Sequence, residues 1–288
     1  MVEIIKGKTM LFCYVILHYR TDEDTIECVD SIIATDNDSQ IVIIDNASNN
    51  GSIEKIEKKY TGENRVHILR NKSNLGFAEG NNRGYKYARN ILKADFIAVS
   101  NNDVLIKTDD FPTHVASFYE RIPFHVLGPD IVSMVDGGHQ NPMEESLTTK
   151  REVNKEIWRY RLLLCLNRLG IYDLLKHNSI ARTGSSRREV NYIIQHNVML
   201  HGSFVIFSPD FIKNEDISFR QGTFLYTEEA ILKKYCENKG YDMVFNPFLQ
   251  VIHKEDSATN SLGYTTKEKR EFVFSNMINS LSVYKRYF

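Results

Sequence analysis

Two apolar stretches of this 288-residue chain are followed by side chains that could bind a metal ion. Asp103 comes after two asparagines behind the apolar run 96–99, and His253 directly follows Val251 and Ile252. A carboxylate and a neutral imidazole can hold Mg²⁺ or Mn²⁺ together with the phosphates of a substrate. Asp and Asn are also common turn residues, and a lone histidine is often structural. A divalent-cation site is therefore one of two interpretations of these residues.

Two adjacent acids lie at the start of a predicted helix that runs from Glu228 to Lys239 and ends at Gly240. Glu228 and Glu229 stand at its start, where the helix dipole stabilises negative charge. The functional interpretation is a general base, a carboxylate that faces a crevice and takes a proton from an attacking hydroxyl group. The residues themselves do not decide which of the two acids would do so.

Nucleotide contacts are suggested by two further segments. Asp45 follows the apolar run 41–44 and could accept a hydrogen bond from a base or a ribose, or simply end a turn. Segment 74–84 carries Gly76, Gly80 and Gly84 at the start of a helix, where glycine would let the backbone approach a ligand and the helix N-terminus would favour phosphate. The spacing matches neither a dinucleotide-binding fingerprint nor a P-loop.

The elements that must position these residues alternate along the first hundred residues. Apolar runs of strand length at 11–17, 41–44, 66–69 and 96–99 alternate with segments of helical periodicity. This order predicts parallel βαβ units. Ligands bind beyond the carboxyl ends of the strands in such a sheet. Tyr19, Asp45 and Asn102 should therefore converge on one crevice.

The composition excludes several classes of protein. The chain is 42% hydrophobic and 25% charged, which is typical of a globular domain, and its net charge of −1 argues against a general nucleic-acid binder. No apolar run is long enough to span a bilayer. The four cysteines lack the spacing of a zinc site or a disulfide framework, which favours buried, reduced thiols in a cytoplasmic protein.

Positive charge is concentrated in two segments that also carry aromatic residues. Residues 150–188 hold ten Lys or Arg against three Asp or Glu, and the chain ends in a basic, aromatic tail. Such a surface suits an anionic membrane, through residues 157–175 and the tail. The alternatives are a helix packed on the core for 157–175 and a homodimer contact for the tail.

Taken in order, these motifs resemble the family 2 inverting glycosyltransferases with a GT-A fold. The similarity is greatest to the bacterial rhamnosyltransferase-like branch that builds surface polysaccharides. It covers roughly residues 10–105 and 195–257. The residues that carry it are Tyr19, Asp45, Asn74, Gly76, Asp103, Gly202, Glu228, Glu229, Gly240 and His253.

The resemblance implies an α/β fold with a Rossmann-like, mostly parallel central sheet flanked by helices, a basic helical insertion and a C-terminal helical tail. The implied organisation is a nucleotide-sugar-binding half at 1–105, a connecting region at 106–149 and the insertion at 150–190. An acceptor-binding and catalytic half at 191–260 and the tail at 261–288 complete it.

The resemblance also assigns site residues. Asp45 matches the acid that contacts the base or ribose, and Asp103 and His253 match the metal ligands. Glu229 matches the usual catalytic base and Glu228 its neighbour, although the pair reads Glu-Glu where the family has Glu-Asp. The implied nucleotide-binding residues are Tyr19, Asp45, Asn74, Gly76 and Asn102.

The implied activity is transfer of a sugar, with inversion, from a nucleoside-diphosphate sugar such as dTDP-rhamnose or a UDP-hexose. The implied acceptor is a hydroxyl group of a lipid-linked glycan at the inner face of the cell membrane, and the implied cofactor is Mg²⁺ or Mn²⁺. Two alternatives remain. One is a nucleotidyltransferase on a similar sheet, and the other is a non-catalytic nucleotide-sugar-binding homologue.

Overall fold

The computed structural model of the protein describes residues 4–5, 8–173, 192–255 and 265–288. An eight-stranded sheet runs through the molecule, and a separate two-stranded pair joins residues 4–5 to residues 8–9. The strands of the large sheet are β1 Phe12–His18, β2 Gln40–Asp45, β3 Val66–Arg70, β4 Phe96–Asn101, β5 Val104–Ile106, β6 Val126–Ser133, β7 Phe204–Phe207 and β8 Met243–His253.

Helices connect and cover these strands. They are α1 Asp22–Thr35, α2 Ser52–Lys59, α3 Gly76–Tyr87, α4 Phe111–Arg121, α5 Lys150–Arg168, α6 Pro209–Asn214, α7 Glu228–Lys239 and α8 Thr266–Tyr284. A π-helical turn, Ala88–Leu92, extends α3, and a 3₁₀ turn, Lys285–Tyr287, follows α8.

The strand order is β3-β2-β1-β4-β7-β6-β8-β5. Parallel pairing joins β3 to β2, β2 to β1, β1 to β4, and β6 to β8. The central strands β1 and β2 are buried on both faces, which explains their continuous apolar runs. The predicted α/β fold with a mostly parallel sheet flanked by helices is thus confirmed.

Gly80 and Gly84 of α3 lie against strand β1, while the approach of a ligand to Gly76 stays a prediction. A Cβ on Gly84 would lie 2.3 Å from Val15 Cγ1, and one on Gly80 would lie 2.6 Å from Leu17 Cδ1. Side chains at these positions would push the helix off strand β1. The glycine spacing therefore reports a close helix-to-sheet contact.

Two strands are longer than their sequence patterns indicate. The pattern around Val126–Leu127 predicts a short strand, and β6 extends it through Pro129 to Ser133. The patterns at Met243–Phe245 and Leu249–Ile252 predict two strands, but these residues form one strand, β8, whose register against β6 shifts between Asn246 and Gln250. Pro247 lies within that shift, and its missing N–H fits an interruption of the ladder.

The basic segment and the tail pack against each other. Asn167 Nδ2 donates a hydrogen bond to the Lys267 carbonyl, and Arg168 forms an ion pair with Glu271. The hydroxyl group of Tyr284 donates to the Leu147 carbonyl. Residues 174–190 of the basic segment and 261–264 of the tail lie outside the described residues.

Within the described ranges, no helix combines the length and the apolar character needed to cross a bilayer. Cys13, Cys28 and Cys236 are buried as expected, but Cys165 is exposed. The expectation is wrong for Cys165 because it lies on the outer face of α5.

Candidate functional site

A pocket of about 730 Å³ opens beyond the carboxyl ends of β1, β4 and β8. One wall is polar and another is apolar. The lining residues are Leu17, Tyr19, Asn46, Asn74, Gly76, Phe77, Asn101, Asn102, Asp103, Gln140, His201, Phe224, Leu225, His253, Glu255 and Phe272.

Six of the nine site residues predicted from the sequence line this pocket. They are Tyr19, Asn74, Gly76, Asn102, Asp103 and His253. Asp45, Glu228 and Glu229 are not among the lining residues. The structure thus brings the predicted metal ligands together with most of the predicted nucleotide contacts and leaves three acids outside the lining.

Asp103 and His253 meet although 150 positions separate them in the sequence. The antiparallel register of β5 and β8 pairs Val104 with His253 and sets Asp103 beside it. His253 Nε2 lies 3.2 Å from Asp103 Oδ1, and both residues are buried. This pairing was predicted from the strand ends, and the structure supplies the contact.

A divalent cation fits this pair of side chains. Asp103 Oδ1 is buried without a hydrogen-bond donor, despite the neighbouring imidazole. A buried acceptor without a partner is costly, and a bound cation would satisfy it. The described residues contain no group of three or more His, Cys, Asp or Glu that could hold a metal. Substrate oxygens and water would therefore have to complete the coordination, as Mg²⁺ sites commonly allow.

Asn46 holds the polar wall together. Its side-chain amide donates to Asn74 Oδ1 at 2.9 Å and to the Gly76 carbonyl at 3.2 Å. Its side-chain oxygen accepts from Asn71 Nδ2 and from the Leu75 N–H. Asn46 directly follows Asp45, which was predicted as a site residue in its place. A polar side chain just beyond the end of a strand was the signal that could have identified Asn46.

Asp45 itself lies below the pocket. It is buried at the end of β2, and its Oδ1 accepts a hydrogen bond from the Ser48 N–H at 3.1 Å. This is the turn-forming role that the sequence left open. Its contact with a base or a ribose stays a prediction.

Asn102 lines the pocket while its side-chain amide group points to helix α1. Nδ2 donates to Thr21 Oγ1 at 2.8 Å and to Thr25 Oγ1 at 3.0 Å. These bonds anchor the strand end that carries Asp103 to the start of α1. Tyr19 lies opposite, with the Arg20 guanidinium 5.2 Å from its ring centroid.

Gly76 joins the two halves of the wall. Its φ is +78°, and a Cβ there would lie 2.2 Å from the Phe224 carbonyl oxygen. The same carbonyl accepts a hydrogen bond from the Phe77 N–H at 2.8 Å. Only glycine allows this backbone approach, so the close contact is with residues 215–227, the loop before α7 that we call the 224 loop.

Glu229 lies beside the lining residue His201, against the backbone of Gly202. A Cβ on Gly202 would lie 2.6 Å from Glu229 Oε1, so the carboxylate sits against the backbone next to His201. Burial raises the pKa of Glu229, while the N–H groups of Glu229 and Gly202 favour its ionised form. A larger residue at position 202 would therefore displace the Glu229 carboxylate.

Glu228 is the more buried acid of the pair. Burial, together with the nearby charge of Glu229, raises the pKa of Glu228 to about 8. Its Oε1 is buried without a hydrogen-bond partner, as are Thr223 Oγ1 and Thr227 Oγ1. Burial thus raises the pKa of both acids, and which of them acts as a base stays a prediction.

The apolar wall was missed by sequence analysis. Phe224 and Phe272 pack edge to face with ring centroids 6.1 Å apart, and Leu225 lies beside them. Phe272 belongs to α8, the tail helix, which the Ser280 hydroxyl ties to the Leu225 carbonyl. No local signal marks Phe272, because its role follows from where α8 packs.

Three polar lining residues were also missed. Gln140 Oε1 lies 2.8 Å from His253 Nδ1, and Gln140 Nε2 donates to Glu255 Oε1 at 2.8 Å. The His201 ring lies 5.7 Å from the His253 ring, centroid to centroid. His201 and Glu255 are near the expected motifs in sequence, while Gln140 comes from a segment with no recognisable pattern.

Comparison with known proteins supports the interpretation of the fold. The model of a family described as "Glycosyl transferase family 2" matches residues 13–183. The structure of S. aureus TarS 1-349 matches with a TM-score of 0.54 and 14% identity, over 85% of this chain and 60% of that one. Its complex with UDP-GlcNAc matches with the same score and identity, over 93% and 65%.

The chain thus spans about three-fifths of the length of these structures. At this level of identity, the likeness is one of fold. No curated protein matches the sequence significantly.

Proposed function

Because the chain belongs to glycosyl transferase family 2, we propose that it transfers a sugar, with inversion, from a nucleoside-diphosphate sugar to an acceptor hydroxyl group. The observation that carries the proposal is the meeting of Asp103 and His253 at one end of the pocket. The polar wall beside them offers a place for a nucleotide, and the apolar wall offers a place for an acceptor. The UDP-GlcNAc complex of TarS adds that donor to dTDP-rhamnose and the UDP-hexoses as candidates.

Each set of residues has a part in the proposed reaction. Asp103 and His253 would hold a Mg²⁺ or Mn²⁺ ion, which supplies positive charge for the departing diphosphate. Tyr19, Asn74 and the Gly76 backbone line the side where the nucleotide would bind. Glu229 accepts the proton of the acceptor hydroxyl as its oxygen attacks the anomeric carbon. In the same displacement the bond from the anomeric carbon to the diphosphate breaks, and the nucleoside diphosphate leaves with the electron pair.

Product analysis tests this proposal. Purified protein is incubated with UDP-GlcNAc, UDP-glucose or dTDP-rhamnose and Mn²⁺, and the released nucleotide is measured. We expect at least one donor to release nucleoside diphosphate. Release of pyrophosphate from a sugar phosphate and a nucleoside triphosphate would instead indicate a nucleotidyltransferase. Donor binding without any turnover would indicate a non-catalytic homologue.

We propose that the protein acts at a membrane surface, and the exposed face of α5 supports this proposal. Trp158, Leu162 and Leu169 are 68%, 60% and 66% exposed and lie at helical spacing on one face, while Val153 and Ile157 are buried on the opposite face. Exposed basic side chains flank this stripe, at Arg151, Lys155, Arg159 and Arg161. Apolar side chains beside positive charge suit the interface of an anionic bilayer, and a lipid-linked glycan would be presented there.

The C-terminal tail is not part of the proposed membrane contact. Tyr284 is buried, Tyr287 packs against Tyr235 of α7, and the ring of Phe288 lies 4.8 Å from Lys234 Nζ. The aromatic side chains that suggested a membrane contact instead pack against the α7 helix. Only the α5 stripe therefore remains in the proposal.

Replacing Trp158 and Leu162 by serine should weaken binding to anionic vesicles by about tenfold or more. Full burial of side chains of this size is worth about 1.5–3 kcal/mol each, and interfacial insertion recovers part of that. The assay is co-sedimentation with phosphatidylglycerol or phosphatidylcholine vesicles at low and high salt. Trp158 is the only tryptophan in the chain, so its fluorescence also reports insertion in the wild type.

The matched control replaces Phe248 and Ile91, which are 71% and 64% exposed, by serine. This pair removes the same kinds of side chain outside α5, and vesicle binding should be unchanged. Equal binding by the two double variants, or no binding of wild type to anionic vesicles at low salt, would contradict the membrane proposal alone.

A further inference from the structure

A hydrogen-bond chain in the lining of the pocket fixes the orientation of one imidazole. Glu255 ends the chain with a carboxylate, which accepts hydrogen bonds and donates none. Gln140 must therefore present Nε2 to Glu255 and Oε1 to His253, as the 2.8 Å contacts have it. An amide oxygen also only accepts, so His253 Nδ1 must carry the proton of this hydrogen bond.

This assignment leaves the other ring nitrogen as an acceptor. In the neutral imidazole, a proton on Nδ1 places the lone pair on Nε2. His253 Nε2 lies 3.2 Å from Asp103 Oδ1, which is buried and lacks a donor. His253 Nε2 and Asp103 Oδ1 are thus two acceptors that lie side by side, and a cation bound to both atoms would give each of them a partner.

His201 shows that the neighbouring imidazole has the opposite arrangement. The Ser203 N–H donates to His201 Nδ1 at 3.2 Å, so this nitrogen is an acceptor. The proton of a neutral His201 ring is therefore on Nε2. The two rings line the same pocket and differ in tautomer because different groups contact their Nδ1 atoms.

We infer that Gln140, held by Glu255, is a positioning residue that prepares His253 Nε2 to bind the divalent cation. The inference rests on the proposed function in that it takes Asp103 and His253 as the cation site. It assigns a role to two residues that neither the sequence motifs nor the predicted ligand set includes. Partners that orient a metal-binding histidine in this way typically contribute 10- to 100-fold, as a rough range, to metal affinity.

The test begins with Gln140→Met, which keeps the length of the side chain and removes the acceptor for Nδ1–H. Mn²⁺ alone is titrated into the protein, without nucleotide, and the free ion is counted by electron paramagnetic resonance. We expect affinity to fall by about 10- to 100-fold relative to wild type. Gln221→Met is the matched control, because Gln221 is an exposed glutamine that contacts Glu79 outside the pocket lining.

A double exchange separates orientation from packing. In Gln140→Glu with Glu255→Gln, the new carboxylate accepts from His253 Nδ1–H and from the new amide at 255. The hydrogen bond from His253 keeps its direction, while the bond between residues 140 and 255 is reversed but still made. We expect this variant to recover most of the Mn²⁺ affinity that Gln140→Met loses. Loss of affinity in both variants would overturn the inference.

Nitrogen-15 spectra of the histidine rings read the tautomer without any metal. In wild type, His253 should carry its proton on Nδ1, and His201 should carry its proton on Nε2 as an internal reference. Gln140→Met should release His253 from this tautomer and leave His201 unchanged. A wild-type His253 protonated only on Nε2, or Mn²⁺ affinity unaffected by Gln140→Met, would overturn the inference. Nucleoside-diphosphate release is measured separately, so failure of the proposed transfer reaction is distinguished from failure of this assignment.

Discussion

Glu229→Gln should lower kcat by about 10²- to 10⁴-fold, which is the usual contribution of a general base. Glutamine keeps the shape of the side chain and can still accept the Gly202 N–H, but it cannot take a proton. Donor affinity should change little, because Glu229 lies against the backbone at Gly202 and is not one of the predicted nucleotide contacts. Steady-state release of nucleoside diphosphate and donor binding by calorimetry would separate the two effects.

Glu228→Gln is the matched variant for this test. Since burial and Glu229 raise the pKa of Glu228 to about 8, the residue is mostly protonated at neutral pH, and a neutral amide should replace it with a smaller loss. A large loss of kcat in Glu228→Gln with near-normal turnover in Glu229→Gln would transfer the role of base to Glu228.

Asp103→Asn should abolish the stimulation of donor binding by Mn²⁺ and lower kcat/KM on the order of 10³-fold. A metal ion at a developing charge is worth several kcal/mol, and each 1.36 kcal/mol is tenfold in rate. The wild-type Asp103 Oδ1 is buried without a donor, so the neutral amide should not destabilise the fold. Thermal unfolding at or above the wild-type temperature would show that the loss belongs to the site.

Asp109→Asn provides the same change of charge at an exposed position just beyond β5, and it should leave both measurements unchanged. If donor binding to wild type is the same with Mn²⁺ and with chelator, Asp103 and His253 do not form a metal site. Glycosyl transfer would then proceed without metal assistance, and the assignment of Glu229 would remain to be judged by its own variant.

Much of the fold follows from local sequence. The runs that became β1, β2 and β4 are apolar throughout because both faces of these parallel strands are covered. Polar residues at their ends mark the ligand-binding edge of the sheet, since the carboxyl ends of parallel strands open at that edge. Tyr19, Asn102 and Asp103 could therefore be placed from sequence.

The sequence was less informative where a residue serves two purposes. Gly80 and Gly84 fit a ligand contact as well as a packed helix in the sequence, and only their distances to Leu17 and Val15 decide for packing. The aromatic residues of the tail fit a membrane contact equally well. They were resolved only by the packing of Tyr287 and Phe288 against α7.

The completed site depends on tertiary structure. His253 meets Asp103 because β8 pairs antiparallel with β5 in one register, and Phe272 reaches the pocket because α8 packs across the 224 loop. Gln140 contacts His253 across 113 positions of the chain. The sequence by itself determined the sheet and the chemical character of its ligand-binding edge, because burial and strand ends are local properties. Only the tertiary structure decided which side chains meet there, because contacts between residues far apart in the chain are set by strand register and helix packing, which leave no periodic signal in the sequence.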